Sequence, residues 1–397
     1  MDWKNKFIVL GVTGSIAAYK AGELIRRIRD KGATVQVIMT KAGTKFITPT
    51  TLEQLSNNRV LVEMFDTQFN WQIDHIAVAD KADVFLIAPA SANLIGKYAQ
   101  GIADDLLSTT LLATKAPVII APAMNENMLL HPVVQENIQT LKNRGVIFIE
   151  PEEGLLACGK VGKGRLADIS VILDVIGYTL QKKKDFTNKT VLVSAGPTIE
   201  PIDPVRYITN PSSGKMGFAI AQAAASRGAK VILISGPTQQ RVPYGVTFIP
   251  IKTAQEMFNA VKQYYPQSQI VVMTAAVADF RPKQAYHQKV KKEKAQLSIE
   301  LARTPDILAE LGKKKGKKIL VGFAAETEQI IEQAKDKLKK KHLDLIVAND
   351  VSQVGIGFGS DNNAVILIPK KGEIEQVPIS SKSDIASRIL DKILELK

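Results

Sequence analysis

Apolar and polar positions follow a repeating order along this chain: a short apolar run, a glycine-bearing turn, a helical period, then another apolar run. Phe7–Val12 is apolar and rich in β-branched residues. Gly11-Val-Thr-Gly14-Ser15 follows, then an apolar-periodic stretch from Ile16 to Ile28. Gly32 stands where a helix C-cap glycine belongs, and Thr34–Met39 is the next apolar run. Strand, glycine turn, helix and strand in this order form a βαβ unit. Further buried strands are expected at Val84–Ala88, Val118–Ala121 and Val146–Ile149, with helical patterns between them such as Leu94 to Ala113. Continuous apolar runs alternating with helices predict a doubly wound parallel sheet.

The pattern breaks at Gln181-Lys-Lys-Lys-Asp185, a charged run that reads as a solvated linker, and then restarts. Thr190–Ser194 is the next expected strand, Gly217 to Ala225 a helix, Gly228 its C-cap and Val231–Ser235 a strand. The segments DKGATVQVIMT and SRGAKVILISG end their βαβ units alike, so one supersecondary unit is used twice. Later strands are expected at Ile270–Thr274, Ile319–Phe323, Leu345–Ala348 and Ala364–Ile368, and a closing helix from Ser383 to Leu396. The organisation is a domain at 1–180, a linker at 181–189 and a domain at 190–397. The lysine-rich runs Lys283–Lys294 and Lys313–Lys318 read as exposed loops.

Composition narrows the class. A 397-residue chain with 45% hydrophobic and 23% charged residues has ample material for two cores. It has a single cysteine, Cys158, which excludes a disulfide within the chain and any site of several thiolates. No apolar run reaches the ~20 residues that span a bilayer. The N-terminal run reads as a first strand, and the expected location is cytoplasmic, with no membrane partner. Residues 1–180 hold 18 Lys and Arg against 18 Asp and Glu; residues 181–397 hold 34 against 21 and carry the whole net charge of +13. Surface lysines that keep this half in solution, or a half that handles polyanionic small molecules, both fit. Nucleic acid fits less well, because aromatic residues are 6% of the chain and none interleave with the basic runs.

Candidate chemistry gathers at strand ends. Gly11-x-x-Gly14-Ser15 suits a phosphate at a helix N-terminus, or simply a tight turn; it is not the dinucleotide fingerprint. Pro89-Ala-Ser-Ala-Asn93 and Pro122-Ala-Met-Asn125 each follow a strand, and Thr40 ends a third. Their small residues would admit a flat ligand at one sheet edge. His75 is a structural histidine or a proton-transfer group. Cys158 lies in Ala157-Cys-Gly-Lys-Val-Gly-Lys-Gly-Arg165, where three glycines and three cations suggest a mobile flap closing over an anion. Neighbouring cations lower a thiol pKa, which suits a nucleophile or a readily ionised acid. Asn210-Pro-Ser-Ser-Gly-Lys-Met-Gly217 departs from a P-loop, because Met216 replaces the hydroxyl residue; it remains a credible phosphate cradle.

Gly11–Tyr19, His75, Pro89–Asn93, Pro122–Asn125 with Met128 and the Ala-Cys-Gly segment together resemble the flavin-dependent cysteine decarboxylases. The second half resembles phosphopantothenate–cysteine ligase. The fusion is similar to the bifunctional decarboxylase/ligase family of coenzyme A biosynthesis. The resemblance implies two doubly wound three-layer α/β/α domains, the first flavodoxin-like and the second Rossmann-like or ribokinase-like. It implies FMN in the first, with Gly14, Ser15 and Ile16 at its phosphate and Thr40, Ser91 and Asn93 nearby. Hydride transfer to the flavin would create the electron sink that decarboxylation needs. His75 is implied as an acid/base or positioning group, Asn125 as the holder of the substrate carboxylate and Cys158 as the final proton donor.

In the second half the resemblance implies that CTP activates 4′-phosphopantothenate as an acyl-cytidylate, which cysteine then attacks. Asn210 would hold that intermediate and Arg206 support its charge. Ala275, Asp279, Lys289, Phe323, Lys337 and Lys341 would bind CTP, with Pro305, Asp306, Ile307 and Leu308 lining the pocket. Mg2+ is expected on the nucleotide phosphates, through water and substrate oxygens. Lys337 and Lys341 alone would read as a solvated helix face. A homo-oligomer is implied, with trimeric flavin contacts and dimeric ligase contacts that could build a dodecamer. A non-catalytic flavoprotein subunit and a nicotinamide oxidoreductase are the alternatives.

Overall fold

The computed structural model describes residues 3–64, 74–155, 159–289, 298–326, 330–350 and 359–396. The chain divides into two compact units, Met1–Gln181 and Lys182–Lys397.

In the first unit five strands are parallel: β1 (Phe7–Val12), β2 (Thr34–Met39), β3 (Val84–Ala90), β4 (Val118–Pro122) and β5 (Ile147–Phe148). Their order is β2-β1-β3-β4-β5, the flavodoxin-like winding. The apolar runs are unbroken because both faces are covered. Ile8, Leu10 and Val12 enter one core with helices Ala21–Asp30 and Ile169–Leu180. Val9, Phe85 and Ile87 enter the opposite core with helices Ala92–Gln100 and Leu106–Ala113. A period of two thus divides each strand between two helical layers. A hairpin follows the sheet, β6 (Glu152–Leu155) paired antiparallel with β7 (Val161–Arg165).

The second unit holds a larger sheet. Its strands are β8 (Thr190–Ala195), β11 (Lys230–Ser235), β12 (Val246–Pro250), β13 (Ile270–Met273), β16 (Ile319–Glu326), β17 (Leu345–Asp350), β18 (Asn362–Pro369) and β19 (Glu375–Ser381). Two short antiparallel pairs complete the numbering: β9 (Ile199–Pro201) with β10 (Tyr207–Thr209), and β14 (Phe280–Pro282) with β15 (Leu301–Arg303). The sheet order is β12-β11-β8-β13-β16-β17-β18-β19. The first six are parallel in the Rossmann winding, and β18 and β19 extend it antiparallel.

Several expectations change. The helical pattern from Leu94 to Ala113 is two helices, because Gly101 takes φ 73° and ends the first. The stretch from Ile16 begins as a 3-10 helix, Ile16–Lys20, before the α-helix Ala21–Asp30. In Lys313–Lys318, Lys313, Lys314, Gly316 and Lys317 are exposed as expected, but Lys315 pairs with Asp344, and Lys318 donates to Pro266 O and Ser268 O at 2.9 and 2.6 Å. The four strands of the short pairs, the β6–β7 hairpin, β12 and β19 lie outside the expected set. The pairs are too short for periodicity to register, and Glu375–Ser381 is a mainly polar edge strand. No helix among the described residues is long and apolar enough to cross a membrane.

The expected linker also packs. Phe186 is fully buried, and the Arg227 guanidinium stacks 4.8 Å from its ring centroid. Arg227 donates to both oxygens of Asp185, at 2.8 and 2.6 Å, and reaches Asp391 at 2.8 Å. The paired Arg227, with Lys183, holds the Asp185 carboxyl down at about 2. Its stabilisation is therefore complete above the ordinary carboxylate range and is lost as pH falls towards 2. Asp185→Asn should lower the urea midpoint of the second unit at pH 7. The gap from wild type, roughly 2 kcal/mol, should close between pH 4 and pH 2 when melts are repeated across that range. A gap that stays constant would show that this pair does not supply the pH dependence.

Candidate active sites

In the first unit the crevice opens at the sheet edge between β1 and β3, where the winding changes direction. The turns there leave backbone groups that need partners. Thr13 is buried; its hydroxyl donates to Pro89 O at 2.8 Å and accepts from Ser91 N at 2.8 Å. Ser15 caps the helix that starts at Ile16 and donates to Ala123 O at 3.0 Å, tying in the end of β4. Ser91 caps helix Ala92–Gln100, and Asn125 caps Glu126–Leu129 by accepting from Asn127 N at 2.9 Å. The polar residues after each strand thus fix the loops around one hollow.

That hollow is about 730 Å³, within the size range of cofactor sites. Ser15, Ser91 and Asn125 supply polar groups to its wall, while Ile16, Phe46 and Met128 supply apolar ones. Hydroxyls at one end and apolar walls elsewhere fit the phosphate and flat ring of a flavin mononucleotide. Gly14 and Gly43 let the two flanking loops touch: a Cβ on Gly14 would lie 2.6 Å from Ala42 Cβ, and one on Gly43 2.7 Å from Val12 O. The glycine turn is therefore required for packing as well as for ligand access.

Not every expected residue meets this hollow. Thr40 accepts from Gly43 N at 3.1 Å and orders its own loop, outside the lining. Asn93 is exposed on the first turn of its helix. His75 is half-buried on helix Asp74–Lys81 and does not line this wall. Cys158 lies outside the described residues. The glycine-rich segment after it is a strand, β7, anchored against the Met124–Glu126 turn: Met124 N donates to Gly164 O at 3.0 Å. Arg165, counted among the cations of the Cys158 segment, joins the lining, together with Tyr19, which had no role assigned, and Phe46, which sequence reading missed. Tyr19 lay within the recognised opening stretch, whereas Phe46 carried no motif.

The second unit repeats the plan at the switch point between β8 and β13. Ser194 Oγ accepts from Ala275 N at 3.2 Å, Thr274 Oγ1 donates to Ser194 O at 2.6 Å and Thr198 Oγ1 accepts from Ala278 N at 3.0 Å. Helix Lys215–Ser226 points its first turn into the crevice. Gly214 at its N-cap has φ 73° and provides no capping side chain, so the first N–H groups face the hollow as a phosphate cradle would. Gly217 must be glycine: a Cβ would lie 2.5 Å from Thr274 Oγ1 and 2.6 Å from Ala195 Cβ.

Two compartments, about 410 and 460 Å³, share a wall of Ala275, Val277, Asp279, Phe323 and Lys337. The first holds Asn210, whose amide donates to Val277 O at 3.0 Å. The second is lined by Pro305, Asp306, Ile307, Leu308 and Lys341. Asp306 caps helix Ile307–Lys313, and Lys341 meets it at 2.9 Å. Burial works against the Asp306 anion, but Lys341 and the Ala309 N–H hold its carboxyl below the ordinary value. Lys337 and Lys341, which alone read as a solvated face, both reach the crevice.

Arg206 and Lys289 line neither compartment. Arg206 donates to Asp203 Oδ2 through Nε and Nη2 at 3.0 and 2.6 Å, and Asp203 is buried. Lys289 is exposed. Lys215, within the expected phosphate cradle, joins the lining, whereas Asn349, Asn363 and Lys382 were missed. Lys382 is buried, which lowers its pKa, and donates to Ser360 O. No run or spacing marked it, because it stands alone at the first position of the closing helix, Lys382–Glu395. Among the described residues no three His, Cys, Asp or Glu side chains converge as a metal site.

The two units have flavodoxin-like and Rossmann-like windings, each with a crevice at its switch point where such folds hold ligands. Residues 1–181 match the Flavoprotein family model, and residues 186–396 match the DNA/pantothenate metabolism flavoprotein C-terminal domain. The chain is 50% identical over 395 residues to the coenzyme A biosynthesis bifunctional protein CoaBC of Bacillus subtilis, covering 99% of this chain and 97% of that one. It is 44% identical over 398 residues to the Escherichia coli protein of the same name, covering 99% and 98%. A crystal structure of the C-terminal domain of a CoaBC protein is 44% identical, with TM-score 0.47, covering 54% of this chain and 97% of that one. This chain belongs to the CoaBC family of bifunctional coenzyme A biosynthesis enzymes, with an FMN-dependent decarboxylase half and a ligase half. Neither a non-catalytic subunit nor a nicotinamide oxidoreductase accounts for these matches.

Thr13 provides a direct test of the first crevice. Thr13→Val keeps the shape but leaves Pro89 O and Ser91 N without their partner. The first unit should lose about 1–3 kcal/mol of stability, measured by denaturant melts of the full chain, and should bind FMN more weakly. Unchanged stability and FMN content would mean that water replaces the hydroxyl at no cost.

Proposed function

We propose that the second unit joins cysteine to 4′-phosphopantothenate using CTP, and that the first then decarboxylates 4′-phosphopantothenoylcysteine to 4′-phosphopantetheine. The observation that carries the ligase reading is the wall shared by the two compartments. It would put a nucleotide and an acid side by side, which converts their encounter into an oriented reaction. The acid's carboxylate attacks the α-phosphorus of CTP and releases pyrophosphate. The cysteine amine then attacks the acyl carbon and displaces CMP.

In this reading Pro305, Asp306, Ile307 and Leu308 form the nucleotide compartment, with Lys341. Ala275, Asp279, Phe323 and Lys337 stand between the two ligands, and Asn210 holds the acyl-cytidylate. Lys289 enters only as part of an exposed basic segment that could reach the phosphates. Arg206, committed to Asp203, orders the loop that leads to Asn210. Mg2+ would sit on phosphate oxygens and water, since no protein carboxylate cluster is at hand among the described residues.

In the first unit, bound FMN would accept and later return one hydride, so that carbon dioxide leaves without net redox change. Ser15 and Ser91, with Gly14 and Ile16, fit its phosphate end. Asn125 fits the substrate carboxylate, and Cys158 donates the last proton. His75 lies off its own chain's hollow, which fits a trimer with flavin at the subunit interface and His75 serving a neighbour. Exposed Ile16, Tyr19, Met128 and Leu155 support such a contact, and exposed Val205, Tyr207, Phe280 and Leu301 support a ligase dimer. A dodecamer combines both.

Two variants test the halves separately. Cys158→Ser should keep FMN and ligase activity but stall before 4′-phosphopantetheine, followed by mass analysis with 4′-phosphopantothenate, cysteine, Mg2+ and CTP. Normal product from that variant would remove Cys158 from its role. Asn210→Asp sets a carboxylate against Val277 O and should abolish amide formation, while added phosphopantothenoylcysteine is still decarboxylated. Loss of both activities would point to a folding defect.

A further inference from the structure

The return strand of the β6–β7 hairpin makes a contact that the chemistry above does not use. Glu126 follows Asn125 directly and opens the short helix that Asn125 caps. Its Oε1 accepts from the backbone N–H of Lys163 at 2.8 Å. A Cβ on Gly162 would lie 2.5 Å from Glu126 Oε2 and 2.8 Å from its carboxyl carbon. One residue on, Gly164 O accepts from Met124 N, and a Cβ on Gly164, at φ 140°, would lie 2.1 Å from Met124 O. Gly164 thus stands too close to the Met124 backbone for any side chain, and a side chain at Gly162 would have to displace the Glu126 carboxylate.

The contact joins two parts of one wall. Asn125 and Met124 line the flavin hollow from the turn, and Gly164, Arg165 and Leu155 line it from the hairpin. A shift of β7 along the turn would move Arg165 relative to Asn125. We propose that Glu126 is a positioning residue of the decarboxylase half: its carboxylate latches β7 to the turn and sets the hairpin in register with Asn125. Gly162 is glycine because a side chain there would push the latch aside. The consequence for decarboxylation rests on the reading given to Asn125 and Cys158, since the hairpin also carries Cys158 in sequence between its strands.

The test uses the full-length protein loaded with FMN and compares Glu126→Ala, Glu126→Gln and Gly162→Ala. Three readouts are taken: kcat and KM for decarboxylation of phosphopantothenoylcysteine, ligase rate, and the rate of trypsin cleavage after Lys160, Lys163 and Arg165. Glu126→Ala and Gly162→Ala should lower decarboxylation kcat on the order of tenfold, the scale of one lost charge-assisted hydrogen bond. Both should speed cleavage in β7 while ligase rate and FMN content stay at wild-type levels. Glu126→Gln keeps an oxygen acceptor for Lys163 N and should recover most of the rate and the protection. Wild-type kcat in Glu126→Ala overturns the positioning role, whether or not cleavage quickens. A Glu126→Gln enzyme as slow as Glu126→Ala also overturns it, because the carboxylate charge would then act on the substrate itself. Cys158→Ser run alongside separates the two readings: full product from that variant refutes the Cys158 role, while the cleavage rates still judge the latch.

Discussion

The hydroxyl of Thr13 is buried between two strand ends, donating to the carbonyl of Pro89 and accepting from the N–H of Ser91. The rest of the first unit's site depends on that bridge. Where neighbouring parallel strands send their crossovers to opposite faces, the loops part and leave a crevice. Such a crevice is useful only if its backbone groups are already paired, because an unpaired buried amide costs about 1–3 kcal/mol. Thr13 meets that need with one side chain. Ser15 extends the bracing to β4 through Ala123 O, so three strand ends hold one hollow.

The second unit meets the same constraint with different residues. Ser194, Thr274 and Thr198 brace the ends of β8 and β13, and each is a small hydroxyl residue at or just past a strand end. Gly217 then lets the helix after the crevice press against Thr274 and Ala195. The braced loops leave helix N–H groups facing the hollow, which is what a phosphate requires. The likeness of the two halves follows from the shared problem of satisfying backbone at a switch point.

What the sequence made legible follows from where the physics is local. Unbroken apolar runs such as Val84–Ala88 could be read because burial on both faces leaves no alternation to confuse them. Gly32 and Gly228 marked helix ends because only glycine readily adopts their φ of 92° and 90°. Asn125 could be read because it follows a strand end within a short motif, and Asn210 because it opens the glycine-rich segment that leads into helix Lys215–Ser226. Asn349 near the end of parallel β17, Asn363 on antiparallel β18 and Lys382 at the start of the closing helix were not legible, since no motif marks them and they meet only where elements distant in sequence pack together. Arg206 was given its role by resemblance, and its pairing with Asp203 three residues earlier is a matter of loop geometry that residue spacing alone does not show. The Cys158 segment reads as mobile from its glycines, whereas Gly164 is demanded by close contact with Met124 O and Gly162 leaves room for the Glu126 carboxylate. Composition cannot tell a glycine that frees the chain from one that lets it pack.

The charge of the second unit sorts by the same reasoning. Lys315, bonded to Asp344, and Lys318, on Pro266 O and Ser268 O, work for the fold. Lys337, Lys341, Lys215 and Lys382 line the crevice. The Lys341–Asp306 and Lys215–Asp361 pairs each hold a half-exposed or fully exposed carboxylate. Exposed pairs of this kind are screened by water and contribute little to stability. A phosphate arriving at the crevice can therefore take over either lysine at little cost to the fold. Weak ion pairing at the rim keeps the cations ordered without committing them, and Lys382, buried deeper, adds a charge whose desolvation a bound anion would offset. The excess of lysine over acid in residues 181–397 thus divides between lysines that support the sheet and lysines gathered at the crevice, where their shared positive charge favours an anionic ligand.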